Sequence, residues 1–410
     1  MNRLDIPLDH GIVTKRIKRR VISRPQEFFA ATSPGLEHLC LAELKGPVLG
    51  IESAETVAGG VAFNGKVHEG YRANLHLRTA NRILMRLDRL QAGNFRQLGR
   101  KLAEFPWELY LPVSAAVRVS VSTRECRLHH TGALADCFTE KIQKRLETAV
   151  APAAEEPGRE AGIFVRGQGD IFTISLDSSG ALLHKRGLKQ HGGRAPLRET
   201  LAAAVLMLAE YDGGQILLDP MCGSGTFSFE AAMIAGNIPA GWFRSFAFMD
   251  WPCFRPERWR DIRRKAEGAF LSLARPVIWS SDTDPEAVRK VSEAVAGNEL
   301  GVCVQVLRRN FFDWTPSLIA ELRLSRLEGK REEGLVVLNP PYGKRLGQED
   351  CNQKMIGEIL KKITADFRGW RFALLAPGHL LPRCIRLTHV RRPLFHGGLK
   401  LTLLSGRVPE

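Results

Sequence analysis

The spacing of apolar residues changes character once along the chain. Before about residue 190 the pattern mixes short strands and helices. EFFAATSPGLEHLCLAELK reads as strand, turn and helix: a β-prone run stops at Thr32-Ser33-Pro34, and Leu36, Leu39, Leu41 and Leu44 follow at roughly helical spacing. VAGGVAFNG has the look of a strand and turn, and YRANLHLRTANRILMRL that of a helix whose apolar face is Leu75, Leu77, Ile83, Leu84 and Leu87. AAVRVSVSTRE alternates like a half-exposed strand, ADCFTEKIQKRLETA is helical, and IFVRGQGDIFTISLDSSG reads as two strands around a glycine turn. This region is expected to be α+β.

After the Gly-rich stretch KQHGGRAPLRE the texture is different. QILLD, GTFSFEAAMIAG, PVIWSSD, PEAVRKVSEAVAGN, VCVQVLR, GLVVLN, EILKKITADF and FALLAP alternate strand with helix. Near-continuous apolar strands separated by helices predict a mostly parallel, doubly wound α/β sheet covered on both faces. The division expected is a basic N-terminal tail over 1–27, an α+β region over 28–190 and an α/β domain over 191–410. No internal repeat is found.

Composition narrows the partners. A chain of 410 residues is too long for one ordinary core, and with 44% hydrophobic residues it is globular. The net charge of +15 makes nucleic acid the first candidate partner. Residues 1–24 carry seven Lys or Arg against two Asp, and the run Lys15 to Arg20 reads either as a solvated tail or as an arm that orders on RNA. No apolar run is long enough for a membrane span, and the first residues carry no apolar leader, so a cytoplasmic address is expected. Eight scattered cysteines form no CxxC pair and no Cys/His cluster, so neither a bound metal nor a disulfide framework is expected.

The chemistry lies at the strand ends. LLDPMCGSGTFSFEAA (217–232) is a strand, a turn with Gly223 and Gly225, and a helix. The glycines allow a close approach of backbone to ligand. Ser228 stands where the third glycine of a dinucleotide fingerprint would be, and the Lys-Ser/Thr of a P-loop is absent. Asp219 either receives a cationic group such as an ammonium or only caps the turn. The next strand ends in Asp282 and Asp284; one can grip a ribose diol and the other cap the following helix. RRNFFDW (308–314) ends the third strand, with Asn310 placed for a base edge and Phe311 or Phe312 either against its ring or in the core. In VVLNPPYGKRL (336–346) two prolines stiffen the turn after a buried strand. The Asn339 side-chain oxygen and the Pro340 carbonyl are two rigid acceptors suited to the two protons of an exocyclic amine. Tyr342 offers a stacking face, with Pro341 and Gly343 completing the turn. Holding both protons aims the amine lone pair at an electrophile, so positioning supplies much of the rate.

The set DPMCGSGT, SSDTD, NFFD and NPPYG resembles the class I S-adenosylmethionine methyltransferases, and NPPY the subset acting on exocyclic amines. More closely, HKRGLKQHGGRAPLRETLAAAVLMLA, DPMCGSGTFSFEAAMIAGNIPAG and RSFAFMDW resemble the THUMP-containing 23S rRNA guanine-N2 methyltransferases, the RlmL-like family. That resemblance implies a ferredoxin-like plus THUMP RNA-binding region before a Rossmann-like methyltransferase domain. It implies Asp219, Cys222, Gly223, Gly225, Asp282, Asn310 and Asn339 around S-adenosylmethionine, with Asn339, Pro340 and Tyr342 in catalysis. Pro341, Tyr342 and Gly343 would receive the guanine. Asn310 departs from the usual Asp, and with the chain ending at 410 the second methyltransferase activity of some relatives is expected to be absent. The activity implied is N2 methylation of a guanosine in 23S rRNA. A tRNA guanosine, and a non-catalytic RNA-binding assembly factor, are the alternatives. WFRSFAFMDWPCFRPERWRDIRRK (242–265) interleaves aromatics with arginines, which suits either single-stranded RNA or packing within the protein.

Overall fold

The computed structural model describes residues 10–113, 115–149, 158–188, 197–272, 277–297, 299–322, 333–341, 349–385 and 387–410. The boundary expected near residue 190 falls outside them. The chain divides into two units: Met1–Thr32, Cys40–Leu183 and Arg244–Arg264 in the first, and Ser33–Leu39, His184–Phe243 and Lys265–Glu410 in the second.

The strands of the first sheet are β1 (Gln26–Thr32), β2 (Glu55–Val57), β3 (Gly60–Gly65), β4 (Ala80–Gln91), β5 (Ala115–Arg124), β6 (Gly158–Gln168) and β7 (Ile171–Asp177). The helices in this stretch are α1 (His10–Ile17), α2 (Glu37–Lys45), α3 (Val67–His76), α4 (Phe95–Glu104) and α5 (Thr131–Ala149). The sheet order is β2-β3-β1-β4-β7-β6-β5, antiparallel except for β5 beside β6. In β1, Phe28 and Ala30 point inward, and Phe28 stacks on Phe63 at 5.2 Å between ring centroids. Helix α3 approaches that ring so closely that a Cβ on Gly70 would lie 2.4 Å from it.

Two sequence expectations are corrected here. YRANLHLRTANRILMRL is not one helix: α3 stops at His76 and β4 begins at Ala80. Ile83 and Met85, two apart, are both fully buried while Leu84 between them is not, a strand period that the apolar residues of a helical face had masked. Residues 10–22 are helical, α1 running on into a π-helical turn, Lys18–Ile22. Val13, Ile17 and Val21, at four-residue spacing, are buried, while Lys15, Lys18, Arg19 and Arg20 stay exposed. Arg16 and Arg145 both reach the buried carboxylate of Glu108, at 3.1 and 3.2 Å.

The second sheet holds β8 (Ile216–Asp219), β9 (Ile278–Asp282), β10 (Val304–Arg308), β11 (Gly334–Leu338), β12 (Arg371–Pro377), β13 (His389–His396) and β14 (Leu399–Arg407). Its stretch of chain also carries α6 (Glu199–Leu208), α7 (Thr226–Ala235), α8 (Pro256–Glu267), α9 (Pro285–Ala296), α10 (Pro316–Leu322) and α11 (Glu349–Asp366). The order is β10-β9-β8-β11-β12-β14-β13, and only β14 runs against its neighbours. Alternate residues serve opposite faces. Leu217, Ile278, Val304, Leu335 and Val337 fill one core; Leu218, Trp279, Val336 and Leu338 fill the other. The doubly wound α/β sheet expected from the apolar strands is present. Among the described residues no helix is long and apolar enough to cross a membrane.

Residues 244–264 lie in sequence between α7 and β9 yet pack within the first unit. Tyr71 stacks on Phe248 at 4.2 Å and meets Phe254 edge-on at 5.9 Å. Arg244 donates to the carbonyls of Leu182, Ser179 and Ala181 at 2.7, 3.1 and 2.6 Å. Phe246, Phe248, Trp251 and Trp259 are buried, so for these rings the packing reading holds and RNA stacking does not.

At the end of α3, burial, and after it the cations Arg72 and Arg78, hold the pKa of His76 down at about 4. The unfolded imidazole titrates near 6.5, so between those values the unfolded chain binds a proton that the folded one refuses. Stability therefore falls as pH falls through that window. His76→Gln is expected to lose less apparent Tm than the wild type between pH 7 and pH 5 in parallel thermal melts. Equal losses would mean that His76 does not titrate in this way.

Candidate active site

The chain fills β8, β9 and β10 outward on one side of the sheet and then crosses to place β11 on the other side of β8. The carboxyl ends of β8 and β11 thus flank a topological switch point, where open α/β sheets bind their ligands. Four adjacent strand ends carry Asn310, Asp282, Asp219 and Asn339, in that order across the sheet.

Asp219 closes β8 and is fully buried. Its Oδ2 accepts the hydroxyl of Ser228 at 2.7 Å, and the same Oγ lies 2.9 Å from Ser280 Oγ on β9. Ser228, which the sequence marked only as a missing glycine, is therefore the polar link between the first two strands. The turn that follows is held by backbone: Cys222 donates to the Ser281 carbonyl at 2.9 Å, and Gly225 donates to the Cys222 carbonyl at 2.7 Å. Gly223 and Gly225 both have left-handed φ, +51° and +69°. A Cβ on Gly225 would press on Phe229 and Val291 at 3.1 Å, whereas one on Gly223 would meet nothing within 4 Å. Gly225 is thus a packing requirement as well as a backbone one, and Gly223 faces open space.

Asp282 ties the first two loops together. One carboxylate oxygen accepts the Gly223 N–H at 2.9 Å and the other the Asp284 N–H at 3.0 Å. Asp284 caps α9, accepting the Glu286 N–H at 2.9 Å, with Pro285 in the first turn. Each Asp282 oxygen retains a lone pair for a ligand hydroxyl.

Asn310 follows β10 and is exposed, but its Oδ1 already accepts the Phe312 N–H at 3.1 Å. That leaves its amide hydrogens and one lone pair for a base edge. With Thr283, Arg308, Arg309 and Asp313 it lines an open groove of about 510 Å³. Of the two phenylalanines, Phe311 is core, stacked on Phe367 at 6.1 Å, and Phe312 is 40% exposed. Trp314 is also buried, and its indole N–H donates to Ser281 Oγ at 2.8 Å. This bond pins the third loop to the second strand and could not be read from either segment alone.

At the end of β11, Asn339 is half-buried, Pro340 buried and Pro341 exposed; Tyr342 and Gly343 lie outside the described residues. Behind the first loop, Arg186 and Glu230 form a buried ion pair at 2.8 Å. Glu230 is the one charged residue of the α7 run TFSFEAAMIA, and breaking such a pair costs about 3–5 kcal/mol. Burial, and then the neighbouring Asp219, push the Cys222 thiol well above its ordinary pKa, so it is not poised as a nucleophile. Among the described residues no group of three His, Cys, Asp or Glu is arranged to hold a metal ion.

Comparison with known proteins adds to this geometry. Residues 186–404 match UPF0020, described as an RMKL-like methyltransferase domain, and residues 27–84 match the RlmL ferredoxin-like domain. A putative RNA methyltransferase of Synechocystis is 32% identical, the match covering 92% of this chain and 96% of that protein. The ribosomal RNA large subunit methyltransferase K/L of Methylococcus capsulatus is 35% identical over 92% of this chain, which spans only 50% of it. Among solved structures, a putative methyltransferase complexed with SAH superposes with a TM-score of 0.80 at 25% identity, covering 95% of this chain and 100% of the other.

Iodoacetamide at pH 8 is expected to modify the exposed Cys351 and Cys384 and to leave Cys222 intact until denaturant is added. Peptide mass mapping reads the three sites separately. Modification of Cys222 as fast as Cys351 in the native protein would overturn the buried, protonated thiol.

Proposed function

This chain belongs to the UPF0020 family of RMKL-like methyltransferases, and we propose that it methylates the exocyclic N2 amine of a guanosine in 23S rRNA. The observation that carries the reading is the shared edge: the acidic and glycine-bearing ends of β8 and β9 and the Asn339-Pro340 end of β11 open on one switch point. The methyl donor is S-adenosylmethionine, in line with the SAH-bound relative of the same fold. When bound, it supplies an electrophilic methyl group on a sulfonium.

The residues present suit that ligand. Gly223 leaves room at the turn, and the buried Asp219 carboxylate offers negative charge behind it. Asp282 would hold the ribose hydroxyls and Asn310 the adenine edge, with Cys222 and Gly225 shaping the loop between them. Asn339 and the Pro340 carbonyl would accept the two amine protons of the target base, and Pro341, Tyr342 and Gly343 would complete its seat. Such a base must leave its stack to reach them. The rRNA assignment is supported by the K/L relatives, of whose length the chain spans about half. Within residues 28–190, the ferredoxin-like part would work with a THUMP part to grip structured RNA.

Isotopically labelled S-adenosylmethionine with unmodified 23S rRNA is expected to yield N2-methylguanosine, identified as a nucleoside by mass spectrometry. Label appearing only in a parallel tRNA pool would move the substrate; label in another nucleoside would overturn the N2 assignment. Asn339→Ala is expected to lower transfer about 100-fold, the scale of losing one preorganised polar contact in a site. Near wild-type transfer by that variant, with unchanged S-adenosylmethionine affinity, would exclude the acceptor role.

A further inference from the structure

We propose that the first unit carries a phosphate-binding surface for the RNA substrate, built by Lys66, His68 and Arg72 at α3 and by Arg255 and Arg258 at the start of α8. The proposal rests on the RNA reading above and names the side chains of the first unit that would meet the RNA backbone.

The surface is assembled by packing. Tyr71 on α3 is held by Phe248 and Phe254, and its hydroxyl lies 4.0 Å from Cys253 Sγ. Phe246 and Phe248 stack at 5.1 Å, and Trp259 meets both edge-on. Burial of the aromatics on one side turns the charged residues of the same segment outward. Residues 255–265, RPERWRDIRRK, hold six Lys or Arg and two acids. Those acids are committed: Glu257 lies 3.5 Å from Arg260, and Asp261 2.9 Å from Arg264. Among the described residues no carboxylate forms an ion pair with Arg255, Arg258 or Lys66, and all three are exposed.

Three cations, Arg258, Lys66 and Arg72, act on the half-buried His68. After burial, Arg258 does most to lower its pKa, with smaller contributions from Lys66 and Arg72; Glu69 opposes them. The Glu69 carboxylate, which also accepts the Lys66 backbone N–H at 2.6 Å, offsets only part of the field of the three cations. Like charges held together disfavour the folded unit, and a polyanion threading between them relieves the repulsion and releases its counterions. A phosphodiester backbone supplies such charge at regular spacing and asks for no base-specific contact.

The test compares wild type, Lys66→Gln/Arg258→Gln and, as a control on another helix, Arg289→Gln/Lys290→Gln, whose side chains pair with Glu286. Binding of unmodified 23S rRNA is measured from about 50 to 200 mM salt, the range over which phosphate contacts are most revealing. The patch variant is expected to lose about 1.5 from the log–log salt slope and about tenfold in affinity near 150 mM. Its KM for RNA should rise while kcat and S-adenosylmethionine affinity stay at wild-type values and the melting temperature does not fall. The control should keep the wild-type slope. A patch variant with wild-type slope and affinity overturns the surface while leaving the enzyme reading intact. A wild type that binds no RNA at low salt overturns both.

Discussion

Parallel pairing constrains everything at the candidate site. Strands that all run the same way deliver their loops to one edge, and burial on both faces removes any other place for polar chemistry. In this sheet the constraint acts on β10, β9, β8 and β11, whose carboxyl ends fall side by side. Because the chain reverses its direction of filling at β8, the carboxyl ends of β8 and β11 flank the switch point of the sheet. Four short polar segments, far apart in sequence, thereby meet without any of them needing strong contacts with the others.

What fixes the crevice in detail is a small set of bonds between neighbouring strands. Asp282 spans two loops with its two oxygens, Ser228 joins Asp219 to the second strand, and Trp314 reaches Ser281. The Ser228 and Trp314 bonds satisfy buried polar groups that would otherwise cost about 1–3 kcal/mol. The buried Arg186–Glu230 pair, with Glu230 on α7, does the same on a larger scale. Buried polar networks of this kind favour one arrangement over near alternatives.

The sequence was legible where the chemistry is local. Asp219, Gly223, Gly225, Asp282, Asn310 and Asn339 each end or follow an apolar run, so a strand followed by a polar turn could be read directly. The parallel sheet was legible for the same reason. Reading failed where the deciding contact is distant. Leu75, Leu77, Ile83, Leu84 and Leu87 fit a helix by spacing, and only pairing of β4 with β1 and β7 separates strand from helix there. The helical stretch over 10–22 was hidden because its three buried residues are spaced among many charges. Ser228 and Trp314 gave no signal, since their partners lie on other strands. The aromatic segment 242–265 was ambiguous by composition, and the stack of Phe248 on Tyr71 decides for most of its rings.

The discontinuity of the two units has a consequence for biogenesis. Tyr71 leaves the ribosome long before Phe248 and Phe254, with β8 and α7 emerging in between. At ordinary rates of synthesis that interval is on the order of ten seconds or more. During it the nascent first unit exposes an aromatic surface, while residues 33–39 await the strands of the second. Vectorial, one-domain-at-a-time maturation is therefore closed to this polypeptide. Its two halves must finish together, and a cut placed near residue 190 would sever each from part of itself.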